Sequence, residues 1–142
     1  MSADAAAPRT AILLVEDEFL VRLFAVDVLE DAGFRVLQAE TADEAIKALR
    51  ETPDALAAVI DMGLPDRPGD QLASEVRALR ADLPIVIASG RSGRELRERF
   101  ARQQRVAVLV KPYTAELLLD ALAEVGVTPT DSGSTRPADS PA

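Results

Sequence analysis

Five short apolar runs in this chain are each followed within two residues by a polar or charged side chain, or by nothing of note, and the pattern is informative. "AILLV" (11–15) runs into Glu16, Asp17 and Glu18; "LAAVI" (56–60) into Asp61; "IVIA" (85–88) into Ser89; "VAVLV" (106–110) into Lys111 and Pro112. Only "FRVLQA" (34–39) ends on nothing comparable. A carboxylate at the mouth of a hydrophobic core is costly unless something pairs with it. Acids, a hydroxyl and an amine suggest what the pairing is for. Mg²⁺ takes one or two carboxylates together with phosphate oxygens, and Asp17 with Asp61, supported by Glu16, provides that charge. A carboxylate is also a nucleophile that forms an aspartyl-phosphate. Lys111 can act as a point charge on phosphate oxygens, and Ser89 can donate its hydroxyl to one. Phosphoryl transfer asks for little beyond in-line placement and charge neutralisation.

Taken singly, each residue has an ordinary reading. An Asp after a strand is commonly a cap or turn residue, and "EDE" a solvated helix start where the dipole favours anions. Ser89 before Gly90 fits a turn. What sets the group apart is coincidence, because each member follows a different apolar run. The elements between must bring those ends together. Residues 19–32 place Val21, Phe24, Ala25, Val28 and Ala32 at helical spacing and stop at Gly33. Thr41 with Glu44 opens a helix over 42–51, and Ser92 with Glu95 opens another over 93–103, both as capping boxes. Segment 69–81 ends before Pro84, and Thr114 caps a last helix through Glu124. Near-continuous apolar runs are expected of parallel strands covered on both faces. Five strand–helix units therefore predict an α/β fold, a doubly wound five-stranded parallel sheet with helices on both faces and right-handed crossovers. Such sheets bind ligands outside the carboxyl ends of their strands, where the polar residues lie.

Composition narrows the function. The 142 residues suit one domain, with 48% hydrophobic and only 4% aromatic residues, so the core is built from Ala, Val, Leu and Ile. A formal charge of -8 argues against nonspecific nucleic-acid binding. With neither Cys nor His, disulfides, thiolate or imidazole metal sites and Ser-His-Asp catalysis are excluded. No run has the length of a signal-peptide core or a membrane span, so a cytoplasmic location is expected. Residues 1–9 and the Pro/Ser/Thr-rich stretch 127–142 are expected to be disordered, with the folded domain over 10–126.

The segments "ILLVEDE", "VIDMGLPD", "IVIASG" and "VLVKPY", in this order and spacing, resemble the receiver domain of two-component response regulators. The resemblance runs from Ala11 to about Val125 and implies a flavodoxin-like strand order 2-1-3-4-5. It implies Asp61 as phosphoacceptor, Glu16 and Asp17 as the acidic pocket for Mg²⁺ with Asp61, and Gly63 as a backbone carbonyl ligand. It further implies Ser89 and Lys111 as phosphoryl-binding residues and a cis Lys111–Pro112 bond. One position departs: three residues before the Lys, where receivers typically carry Tyr or Phe, stands Val108. The loop Ile87, Ala88, Ser89, Gly90, Arg91 is similar to a receiver subgroup with a Phe-Ala-Thr-Gly-Tyr motif, matching outright at Ala and Gly. Since only the tail follows the last helix, the expectation is a stand-alone, single-domain response regulator. It would be phosphorylated by a histidine kinase or His phosphotransfer protein and would signal by binding a downstream protein partner or by phosphorelay. Two alternatives stand beside it. A Mg²⁺-dependent phosphatase with an Asp nucleophile would want Asp-x-Asp after the first strand, where Glu-Asp-Glu stands. A phosphorylation-independent interaction module would have no use for the acid and Lys set.

Overall fold

In a computed structural model of the chain, the described residues are 11–90, 93–101 and 103–129. Strands and helices alternate as β1 (Ala11–Val15), α1 (Phe19–Asp31), β2 (Arg35–Ala39), α2 (Ala42–Glu51), β3 (Ala57–Asp61), α3 (Gly69–Leu79), β4 (Ile85–Ser89), α4 (Gly93–Arg99), β5 (Val106–Val110) and α5 (Ala115–Glu124). All pairings are parallel, in the order β2-β1-β3-β4-β5. The three inner strands, β1, β3 and β4, are buried at every position, which explains their unbroken apolar runs. The edge strands β2 and β5 are buried only in part.

Alternation along the strands divides the core into two layers. Ile12, Leu14, Ala57, Val59, Val86 and Leu109 point to one face, covered by α1 and α5 through Ala25, Leu29, Leu118 and Leu122. Leu13, Val15, Ala58, Ile60, Ile85 and Ile87 point to the other, covered by α2, α3 and α4 through Leu49, Leu72, Val76 and Leu96. Val127, assigned above to the tail, packs in the α1–α5 layer at 7% exposure. It is held there because Gly126, at φ 92°, lets the chain reverse after α5 while Val127 N–H donates to Leu122 O at 2.9 Å. Gly33, at φ 97°, closes α1 in the same way, with Phe34 N–H on Leu29 O at 3.0 Å.

The caps at Thr41 and Thr114 form, each Oγ1 accepting an N–H three residues on, from Glu44 and Leu117, at 3.1 Å. Ser92 lies outside the described residues. Two helical expectations need correction. α4 ends at Arg99 rather than 103, because its last bonds tighten to Ala101 N–H on Glu98 O and Gln103 N–H on Phe100 O. In α1 the buried face is Ala25, Val26, Val28 and Leu29, whereas Phe24 is 42% exposed and Val21 and Ala32 are half-buried. This helix is apolar nearly all round, so periodicity alone cannot select the face; docking on the sheet does.

Candidate functional site

Parallel pairing puts every strand's carboxyl end on one edge, and the backbone there is tied strand to strand. Glu16 N–H donates to Ala39 O of β2 at 3.0 Å, Met62 N–H to Ala88 O of β4 at 2.9 Å, and Lys111 N–H to Ser89 O at 2.8 Å. Glu16, Asp61, Ser89 and Lys111 are thereby fixed side by side although they are far apart in sequence. Glu16, Asp61 and Ser89 are the buried polar residues of the described chain, at 2%, 6% and 3% exposure. Asp61 and Ser89, expected just after their strands, are instead the final strand residues. The Lys111–Pro112 peptide bond is cis.

Lys111 is the electrostatic hub. Its Nζ donates to Glu16 Oε1 at 3.1 Å, Asp61 Oδ1 at 3.1 Å and Glu18 Oε1 at 3.2 Å. Burial alone would lower its pKa, but hydrogen bonds and charge from Asp61 and Glu16 outweigh that and raise it, so the ammonium is charged throughout the physiological range. Glu16 is raised, chiefly by burial and further by the charge of Asp61; the N–H of Glu18, donating to its Oε2 at 3.1 Å, and Lys111 oppose the shift. One cation thus faces several acids, and a donor set with excess negative charge remains. Glu16, Asp17 and Asp61 each offer a carboxylate oxygen, all within 4.8 Å of one another, and Asp17 is the least buried of the three. Hard oxygen donors so spaced fit a small divalent cation such as Mg²⁺. Glu18 has no role in the sequence reading beyond its place in the acidic run after β1; its bond to Lys111 spans 93 residues and leaves no local signal.

The acids border an open cavity of about 910 Å³ lined by Asp17, Asp61, Gly63, Ser89, Gly90 and Lys111, with α4 contributing Leu96 and Arg99. Gly63 leaves room beside the carboxylate: a Cβ there would stand 3.6 Å from Asp61 Oδ2. The family model described as "Response regulator receiver domain" matches residues 12–123. The chain belongs to this family.

Its relatives agree. It is 35% identical over 122 residues to the transcriptional regulatory protein PdtaR of Mycobacterium tuberculosis, covering 84% of this chain and 58% of that protein. The receiver therefore spans under two thirds of that relative's length. A CheY-like response regulator receiver domain protein of Methanospirillum hungatei superposes with TM-score 0.72 at 26% identity, covering 82% of this chain and 93% of that one. For the fold alone, chemotaxis protein CheY4 of Vibrio cholerae gives TM-score 0.76 at 24% identity, covering 83% and 99%. Accepting a phosphoryl group is the general function of receiver domains, which are signalling domains.

Two features mark this receiver. Val108, half-buried, packs with the layer that holds Leu96 and Phe100 of the α4 region. Beside the acidic cavity lies a second one of about 580 Å³, lined by Leu20, Val21, Phe24, Pro112 and Tyr113 and sharing Glu18, Gly90 and Lys111 with the first. Here α1 exposes Phe19, Leu20, Leu23 and Phe24 at 63%, 75%, 48% and 42%. Tyr113, with its ring centroid 6.1 Å from that of Phe24, has its pKa pushed up to about 12 by burial and then by the charge of Glu16. Among the described residues, no helix is long and apolar enough to cross a membrane.

Proposed function

We propose that this receiver accepts a phosphoryl group on Asp61 from a phosphohistidine donor, with Mg²⁺, as a cytoplasmic signalling domain rather than an enzyme. The observation that carries the reading is Lys111 Nζ held 3.1 Å from both Glu16 and Asp61, with Asp17 alongside, at the mouth of one cavity. Glu16, Asp17, Asp61 and the Gly63 carbonyl would hold the cation. Bound Mg²⁺ supplies positive charge that offsets the carboxylates and the phosphoryl oxygens. An Asp61 carboxylate oxygen forms the new bond to phosphorus as the N–P bond breaks, and the electron pair leaves with the imidazole nitrogen. Lys111 shifts from the carboxylates toward the phosphoryl oxygens, and Ser89 donates its hydroxyl to one. The exposed apolar end of α1 is where the donor protein docks, because its cavity adjoins that of Asp61 and shares Lys111 with it. A downstream partner or a further relay protein then reads or removes the phosphoryl group.

Incubation with Mg²⁺ and acetyl phosphate tests the chemistry. Wild type should gain one phosphoryl group, and Asp61→Asn none. Continuous phosphate release would favour an Asp-nucleophile phosphatase, and no modification an interaction module. Leu20→Glu should slow transfer from a phosphohistidine protein but leave acetyl phosphate labelling unchanged. Equal slowing of both would remove α1 as the docking face.

A further inference from the structure

The segment 62–68 carries Gly63 and has no strand pairing of its own, yet it is anchored at both ends. Its base is closed by Gly69 N–H donating to Met62 O at 3.0 Å. Its tip is bonded to another helix. Asp66 Oδ1 accepts from Ala42 N–H at 2.8 Å and Oδ2 from Asp43 N–H at 3.0 Å. These are the first two residues of α2, whose N–H groups have no partner within the helix. Thr41 takes the third, from Glu44. Arg67, the next residue of the loop, grips Glu75 of α3 with Nε and one terminal nitrogen, both at 2.7 Å, and reaches Asp43 with the other at 2.8 Å.

Two adjacent side chains thus bond the loop to the start of α2 and to α3 at once. A distant helix cap would serve stability alone. The placement adds more, because the clasp lies three residues past Gly63 in a loop whose Pro65 and Pro68 have fixed φ angles. Few loop conformations satisfy all of these constraints together.

We infer that the Asp66–Arg67 clasp positions the metal-binding edge of the site by fixing the backbone between Asp61 and Gly69. The inference rests on the proposed reading, in which Gly63 gives its carbonyl to Mg²⁺. A loop already in place loses little conformational entropy when the cation binds, so the clasp sets cation affinity. Asp66 and Arg67 are positioning residues: neither needs to touch cation or phosphoryl group.

The test is the Mg²⁺ dependence of acetyl phosphate labelling, measured on the full chain with thermal melts alongside. Asp66→Ala should raise the Mg²⁺ concentration for half-maximal rate about tenfold, the scale seen when groups supporting metal ligands are removed. The rate at saturating Mg²⁺ should change far less. Arg67→Ala should act in the same direction more weakly, and it carries the test if Asp66→Ala does not fold. Asp66→Asn, which keeps one carbonyl acceptor, should recover part of the loss. Thr41→Ala weakens the same end of α2 without touching the loop; it should lower the melting temperature and leave half-saturation at the wild-type value. Unchanged half-saturation in both Asp66→Ala and Arg67→Ala would reduce the clasp to a helix cap and overturn the inference. So would a Thr41→Ala shift as large as that of Asp66→Ala, since it would mean general loosening. A wild type that neither labels nor responds to Mg²⁺ would instead overturn the phosphoacceptor reading itself, and the clasp's role with it.

Discussion

Asp61 is the residue on which the site turns, and its backbone is as constrained as its carboxylate. A Cβ at Gly69 would stand 2.3 Å from the Asp61 carbonyl oxygen and 2.8 Å from Met62 Cα, closer than packed atoms come. Both neighbours are backbone, so neither can yield by rotating a side chain. Gly69→Ala should therefore shift the end of β3 and cost about 2 kcal/mol or more, in the range of overpacked interiors. Labelling should fall although no charged group is altered; a melt and labelling rate matching wild type would contradict the close approach. Asp61→Asn is the opposite case. It removes the proposed nucleophile but keeps an acceptor for Lys111 and reduces repulsion among Glu16, Asp17 and position 61. Its stability without Mg²⁺ should equal or exceed that of wild type in urea unfolding.

α4 is the element best placed to move. It has seven residues, and its neighbourhood is anchored by Leu96 and Phe100, both buried against the sheet. Helices so short depend on tertiary contacts. At position 108 a valine offers no bulky rotamer to report the state of Ser89, so on the proposed reading the coupling is expected to run through the Gly90 backbone and α4 as a unit. Amide exchange should find residues 93–101 less protected than β1, β3 and β4, gaining protection on phosphorylation. Val108→Ala should leave that response in place with a modest packing loss, of about 1 kcal/mol. An α4 as protected as the central sheet, or a response abolished by Val108→Ala, would exclude the mechanism.

The whole molecule registers its charges through the pH dependence of stability. Asp66 is held low, first by the Ala42 N–H and then by that of Asp43, and Glu75 is held low by Arg67. A carboxylate depressed on folding contributes stability above its unfolded pKa and loses it as pH falls through its folded one. The stability difference between wild type and Glu75→Gln should thus be full at neutral pH and shrink below about pH 4, where carboxylates begin to protonate in the unfolded chain. Glu16 has the opposite sign. Raised by burial, it binds its proton more tightly when folded, so the cost of its charge is relieved on acidification. A Glu75→Gln difference that stays constant down to acid unfolding would show that the Arg67 pair adds nothing to stability.

The order of elements, the buried inner strands, the Thr41 and Thr114 caps and the stop at Gly33 were legible in the sequence because each depends on near neighbours. So was the gathering of Glu16, Asp17, Asp61, Ser89 and Lys111, since a parallel sheet sends every carboxyl end to one edge. The tertiary structure alone decided which partners those residues find. Lys111 meets Glu18 across 93 residues and Glu16 across 95, and Asp66 reaches Ala42 across 24. It also decided which side of an apolar α1 stays exposed, where α4 ends and that Val127 belongs to the core. Such outcomes depend on strand register and on how helices seat on the sheet, and no local pattern carries either.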